Sequence, residues 1–502
     1  MEKSTKQIKL GAMISYLALA LNIAATLLYM PWMVSVIGES NYAMYTLANS
    51  FINIFVIDFG LSSAVSKFIA QYRAEGNREK EIQFISTVTK VYIVLDIVIL
   101  TILTILYFFI GTIYRGLTAE EIRTFKYLYI IVASYAVVSF PFMPLSGIMY
   151  AYEKLIETKV CELIQKVLSI VMVVAALLYR ADVIYVVLAN VISALLVIIA
   201  KYCIVKKSTP LRVKFASANM KMFKEVAIFT VWIAVQSLAQ RCIFNLAPTI
   251  LGIVATSSDI AVFAPATSIE GYFATIASAI NGFFVMRITQ YIVSGDKEQL
   301  YQLLLKVGKF QVLLLGWIYI GFVCVGEEFM CAWMGEAYKM AWPCALLVMI
   351  PDILIFSEQV ANTAAIASNL VKQQAGGYVL MAAICVLTSF PLSAKFGAVG
   401  AAAAIALAYM TLFIYNNILY SVKMQLDMRK FIRKCYGKLI LPMALATAIG
   451  YFVCNHIILI SGWKGVIIKA IIVSVLYFAV MSITAGEERR FIVEIVKKKR
   501  KL

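Results

Sequence analysis

The sequence predicts an all-α polytopic membrane protein of about fourteen transmembrane helices, built as two parallel six-helix repeats plus two C-terminal helices. Three observations predict it: an apolar composition, apolar runs of spanning length, and a duplicated polar turn. Of the 502 residues, 62% are hydrophobic and 14% are charged. Soluble domains carry about 25% charged residues, so a soluble enzyme, a disordered scaffold and a secreted disulfide module are excluded. Nine cysteines without a C-x-x-C pair, and one histidine (His456), leave little material for disulfides, a metal site or His-based catalysis. No catalytic residue, metal or cofactor is expected.

A spanning helix takes roughly 20 apolar residues. Runs of that order lie near 10–36, 42–70, 88–113, 124–150, 158–179, 183–204 and 225–252, then near 258–288, 303–325, 339–366, 373–392, 396–421, 438–459 and 464–484. The first follows a basic start, MEKSTKQIKL, and is too long for the core of a signal peptide, so it reads as the first span. Pro141 and Pro144 interrupt segment 4, Pro265 segment 8 and Pro351 segment 10. Proline removes a backbone hydrogen bond and lets a spanning helix bend. Trp32, Tyr42, Trp333 and Trp342, near span ends, read as interface anchors.

The net charge of +18 has a topological reading. With the N-terminus in the cytoplasm, basic residues favour the inside by roughly four to one, as the positive-inside rule requires of an even span count. Both termini are then cytoplasmic. The excess is accounted for without nucleic acid; the basic connections face anionic membrane lipids.

Residues 71–90 and 290–309 match at a constant offset of 219: Gln71/Gln290, Tyr72/Tyr291, Gly76/Gly295, Glu79/Glu298, Gln83/Gln302, Val88/Val307 and Lys90/Lys309. Pro31 and Pro248 pair upstream. Segment 1 thus corresponds to segment 7. The expected division is an N-lobe over 1–210, a C-lobe over 211–430, and segments 13–14 with a basic cytoplasmic tail over 431–502. Two parallel lobes suit an alternating-access transporter with the substrate between them.

Ionisable and polar groups at membrane depth are costly and are functional candidates by default. In segment 7, Thr230, Ser237, Arg241 and Asn245 recur on one helical face, flanked by Gln236 and Gln240. Segment 1 carries Ser15, Asn22, Thr26 and Tyr29 in a similar stripe. Arg241 could hold a phosphate or carboxylate by bidentate hydrogen bonds, or could pair with Glu270 or another acid. The intramembrane acids Asp58, Asp96, Glu270, Asp352 and Glu358 are candidates for coupling to H⁺ or Na⁺. Each could equally be a helix-packing partner.

IGESNYAMYTLANSFINIFVIDFGLSSAVSKFIAQYRAEGN at 37–77 resembles the start of the bacterial polysaccharide flippase family, O-antigen and capsule types included. That family belongs to the multidrug/oligosaccharidyl-lipid/polysaccharide (MOP) exporter superfamily. The core at 58–73 is the most specific part. PFMPLSGIMYAYEK at 141–154 and KFGAVGAAAAIALAY at 395–409 resemble the exit of its helix 4 and the entry of its helix 12. The resemblance implies export of a polyprenyl-pyrophosphate-linked oligosaccharide to the outer leaflet, with the anionic headgroup in a cationic cavity. It implies that Arg241 serves that cavity, and it allows other polysaccharide-assembly proteins as partners. Segment 1 has no charge between Lys9 and Glu39, whereas related lipid II flippases carry arginines there. A multidrug exporter of the same superfamily is the nearest competing reading. A membrane-embedded glycosyltransferase or polymerase would need a metal–carboxylate cluster that the sequence does not offer.

Overall fold

The structure, a computed structural model, describes residues 23–56, 61–209, 220–282 and 284–484. Every regular element among them is helical. The chain divides into two compact units, residues 1–261 and 262–502.

Unit 1 begins with α1 (Ile23–Ile37) and α2 (Glu39–Phe55), bent by 119° at a one-residue hinge. That hinge is Gly38, whose φ of 82° a side chain would strain. Then come α3 (Leu61–Ala74), α4 (Arg78–Ile113) and α5 (Ala119–Ser139). The prolines of segment 4 act as expected. α5 ends at Ser139, one 3₁₀ turn carries Pro141, and α6 (Pro144–Ala151) starts on Pro144. α7 (Leu155–Tyr179), α8 (Val183–Ser208) and α9 (Met220–Val254) follow. α9, which carries Arg241, packs on α2, α3 and α4.

The two motifs at 58–73 and 141–154 meet where α3 crosses α6. Ser62 Oγ donates to the Met143 carbonyl at 3.1 Å. A Cβ on Gly147 would stand 2.4 Å from the Ser62 carbonyl oxygen, so only glycine allows this crossing. At the far end Arg73 donates to the Ala151 carbonyl at 2.7 Å and lies 4.1 Å over the Tyr152 ring. Tyr152 in turn donates to Glu81 at 2.8 Å.

α10 (Ser257–Gly282) runs from the last residues of unit 1 into unit 2. Unit 2 continues with α11 (Val285–Ser294), α12 (Lys297–Met334), α13 (Ala341–Ser357), α14 (Gln359–Ala367) and α15 (Val371–Lys423). It closes with α16 (Met428–Cys435), α17 (Ile440–Phe452) and α18 (Gly462–Thr484). α12 is the hub, packing on α13, α17 and α18. The short α16 is amphipathic: Phe431 is buried against Gly308 of α12, while Arg429, Lys430, Arg433 and Lys434 are exposed. That arrangement suits a helix lying at a headgroup surface.

Eleven helices among the described residues are long and apolar enough to cross a membrane. α15 is one of them, but its 53 residues are far more than the roughly 20 a crossing needs. It breaks at Gly397 (φ 55°, ψ −133°), so it supplies segments 11 and 12. The bent pair α1/α2 falls within segments 1 and 2. The all-helical polytopic class and the approximate count stand. Two expected interface anchors are core residues instead: Tyr42 is 2% exposed and Trp333 3%. Span ends in a folded bundle face neighbours as well as headgroups, and packing takes these rings.

The repeated turn has the same geometry in both units. α3 ends on Gly76 (φ 69°) and α11 on Gly295 (φ 72°). In each, the next N–H bonds back to a tyrosine carbonyl, Asn77 to Tyr72 (2.9 Å) and Asp296 to Tyr291 (3.1 Å). The same Asn77 and Asp296 side chains then cap α4 and α12 by accepting from Lys80 and Gln299. α3 packs on α6, and α11 packs on α14. α6 and α14 also end alike, at Glu153 (φ 58°) and Asn369 (φ 59°).

Candidate functional site

Two adjoining cavities are built entirely within unit 1. The first has a volume of about 390 Å³. Arg241 of α9 and Lys201 of α8 line it, with Ser62, Tyr135 and Ser146, and none of the described residues that line it is acidic. Lys201 Nζ donates to Ser146 Oγ at 3.1 Å. Arg241 donates to the carbonyl of Asn53, near the end of α2, at 3.4 Å. A helix C-terminus carries partial negative charge, so this contact orients the guanidinium without neutralising it. The arrangement can therefore attract an anion and offer it a forked donor and a point charge.

The second cavity has a volume of about 570 Å³. Thr26 and Tyr29 of α1, Tyr45 of α2, Ser169 of α7 and Asn190 of α8 line it. Glu162 and Lys166 of α7 do so as well, and Glu162 is ion-paired with Lys159 at 2.8 Å. Gln165 belongs to the walls of both cavities.

Of the residues expected on the segment 7 face, Arg241 lines a cavity. Asn245 is turned back on its own helix, donating to the Arg241 carbonyl at 2.9 Å. Gln236 and Ser237 are half-buried and Gln240 is exposed, and none of the three is among the lining residues of these two cavities. Thr26 lines the larger cavity, while Asn22 and Asp58 lie outside the described residues. Lys201, Gln165 and Asn190 were not singled out from the sequence. Lys201 sits at the edge of a basic connection and reads there as a topology anchor. The two amides look like ordinary polar residues in apolar runs.

The acids fall in three places. Glu270 of α10 and Asp352 of α13 are 7% and 4% exposed, and their carboxyls stand beside each other. Glu358, at the turn between α13 and α14, is 3% exposed and stands beside Asn417. Asp352 Oδ2 and Glu358 Oε1 have no hydrogen-bond partner among the described residues. Asp96, on α4 of unit 1, is half-buried with Oδ1 likewise unpartnered. No cluster of three or more His, Cys, Asp or Glu residues suited to a metal occurs among the described residues.

A family described as "Polysaccharide biosynthesis protein" matches residues 10–289. No curated protein sequence matches. Among solved structures, the lipid II flippase MurJ in an inward closed conformation superposes with a TM-score of 0.71 at 15% identity, over 95% of this chain and 99% of that one. An inward-facing multidrug resistance MATE family transporter of the MOP superfamily gives 0.69 at 13%, over 83% and 99%. A MOP superfamily transporter from Pyrococcus furiosus, described by a reverse polarity of its binding pocket, gives 0.61 at 12%, over 84% and 96%. These relatives are flippases and transporters, not enzymes, and at such identities the likeness establishes the fold.

Proposed function

Because the chain belongs to the polysaccharide biosynthesis protein family, we propose that it is a flippase for a polyprenyl-pyrophosphate-linked oligosaccharide. It moves this substrate from the cytoplasmic to the outer leaflet of the bacterial cytoplasmic membrane, for surface polysaccharide assembly. The observation that carries the reading is the cavity that brings Arg241 and Lys201 together with no acid among its described lining residues. A pyrophosphate esterified at both ends brings about two negative charges into a low-dielectric site and needs cations to replace its hydration. The prenyl chain needs no such path and stays in the bilayer.

The repeat division at 210/211 and 430/431, with both termini cytoplasmic, belongs to the same proposal. Rocking of the two repeats exposes the headgroup to each side in turn. The Glu270–Asp352 pair and Glu358 are the candidates to couple this movement to H⁺ or Na⁺. Their unpartnered oxygens are acceptors that a bound cation would satisfy. A multidrug exporter for cationic drugs fits less well, since Arg241 and Lys201 would repel such cargo.

The test is mass spectrometry of carrier-linked glycans in cells with and without the protein. Loss should cause one complete lipid-linked repeat unit to accumulate, wild-type protein should clear it, and the Arg241→Ala, Lys201→Ala double variant should leave it at least tenfold elevated. An unchanged carrier pool while surface polymer is still made would overturn the proposal, and a drug-susceptibility panel would then be the next measurement.

A further inference from the structure

The larger cavity differs in kind from its neighbour. Its wall presents two phenol rings, Tyr29 and Tyr45, two carboxamides, Gln165 and Asn190, and two hydroxyls, Thr26 and Ser169, beside one acid and one base, Glu162 and Lys166. Such a set offers planar donor–acceptor groups and apolar ring faces together. It matches a neutral polyol, whose vicinal hydroxyls each give and take a hydrogen bond and whose C–H face covers an aromatic ring. It suits a phosphate less well than the neighbouring cavity does, because the Glu162 carboxylate stands in the same wall as Lys166.

The polar wall is also organised before any ligand enters. Ser169 Oγ is hydrogen-bonded to Asn190 Oδ1, and Asn190 Nδ2 donates to the Tyr45 hydroxyl at 3.2 Å. The chain Ser169–Asn190–Tyr45 fixes the carboxamide plane and the phenol from three different helices, α7, α8 and α2. Held groups lose less freedom on binding than free ones. Tyr29 Oη contacts Met33 Sδ at 2.8 Å, which holds its ring at the wall. A volume of about 570 Å³ falls in the usual range for small-ligand sites, roughly 300–1,000 Å³.

Gln165 lines both cavities, so a ligand occupying both passes this side chain. We infer that the larger cavity is a sugar-reading subsite: it takes the pyranose attached directly to the pyrophosphate, with Asn190 and Tyr45 as specificity-determining residues. The inference rests on the flippase reading, because it assumes that the anion in the cationic cavity is the substrate's pyrophosphate.

The experiment measures binding to the full-length protein in lipid nanodiscs. The ligands are a polyprenyl pyrophosphate with no sugar and the same carrier bearing one hexose, one N-acetylhexosamine or one deoxyhexose. At least one glycosylated carrier should bind tenfold or more tightly than the bare one. Tyr45→Phe, which removes one hydroxyl and keeps the ring, and Asn190→Ala should each erase most of that preference and leave bare-carrier affinity within twofold. Arg241→Ala should weaken all four ligands alike. If no glycosylated carrier exceeds the bare one, or if Tyr45→Phe and Asn190→Ala weaken all four equally, the sugar subsite is wrong and the flippase reading survives. If none of the four binds, the flippase reading falls and the subsite falls with it.

Discussion

Arg241 and Lys201 differ in how visible they are from the sequence, although one cavity holds both. Arg241 stands out because a charge inside an apolar run has no cheap alternative to a polar partner or a wet cavity. Lys201 does not, since it opens a stretch rich in basic residues that topology alone explains. Only the packing of α8 on α6 brings it to Ser146. The same contrast appears at Lys469, which in the sequence is one more basic residue near the start of segment 14. In the structure it is 8% exposed and bonded to Glu328 of α12 at 2.6 Å. Removing one partner of a buried pair strands the other charge, a loss of roughly 3–5 kcal/mol when burial is complete. The two side chains keep 11% and 22% of their exposure, so a loss on the order of 2 kcal/mol is expected for Lys469→Met. Glu328→Met should cost about the same, and the double variant should recover most of the difference. Melting temperatures in detergent measure this. Additive losses in the double variant would show that the pair carries no coupling.

At the scale of elements, the positions of helices follow from apolar runs, but the places where they bend follow from single residues. The prolines of segment 4 predict the break between α5 and α6. The break within α15 depends on glycine. Gly397 adopts φ 55° with ψ −133°, a region that L side chains avoid at about 1–3 kcal/mol. Three residues on, a Cβ at Gly400 would lie 2.0 Å from the Leu392 carbonyl oxygen. The KFGAVG stretch therefore needs glycine twice, for dihedral freedom and then for close approach. Gly397→Ala and Gly400→Ala should both lower the melting temperature by several degrees, Gly400→Ala the more because backbone atoms block the new methyl. Gly321→Ala is the control, since its Cβ meets nothing within 4 Å and alanine suits a helix better than glycine. Equal melting of all three would remove glycine geometry as the reason for the break.

At the scale of the whole molecule, the proposed duplication rests on a trace that is polar. Apolar helices tolerate wide substitution, so most of the repeat is lost in generic hydrophobic matches. A helix-terminating turn is tied to geometry: glycine where φ is positive, an Asx side chain where the next helix needs a cap. Gly76–Asn77 and Gly295–Asp296 meet both demands in the same order. The cavities were not legible, because their walls come from several helices whose polar residues stay unremarkable until the fold assembles them. The proposed repeat also entails a topology. Parallel repeats place both turns on one side of the membrane, whereas inverted repeats would place them on opposite sides. Glu75 and Ser294 are both exposed, one residue before each turn glycine. In a background without the nine native cysteines, Glu75→Cys and Ser294→Cys should both react with an impermeant maleimide in inside-out vesicles and both be spared in intact cells. Labelling of one from each side would rule out a parallel repeat, and with it the rocking of two like-oriented lobes as the way the headgroup crosses.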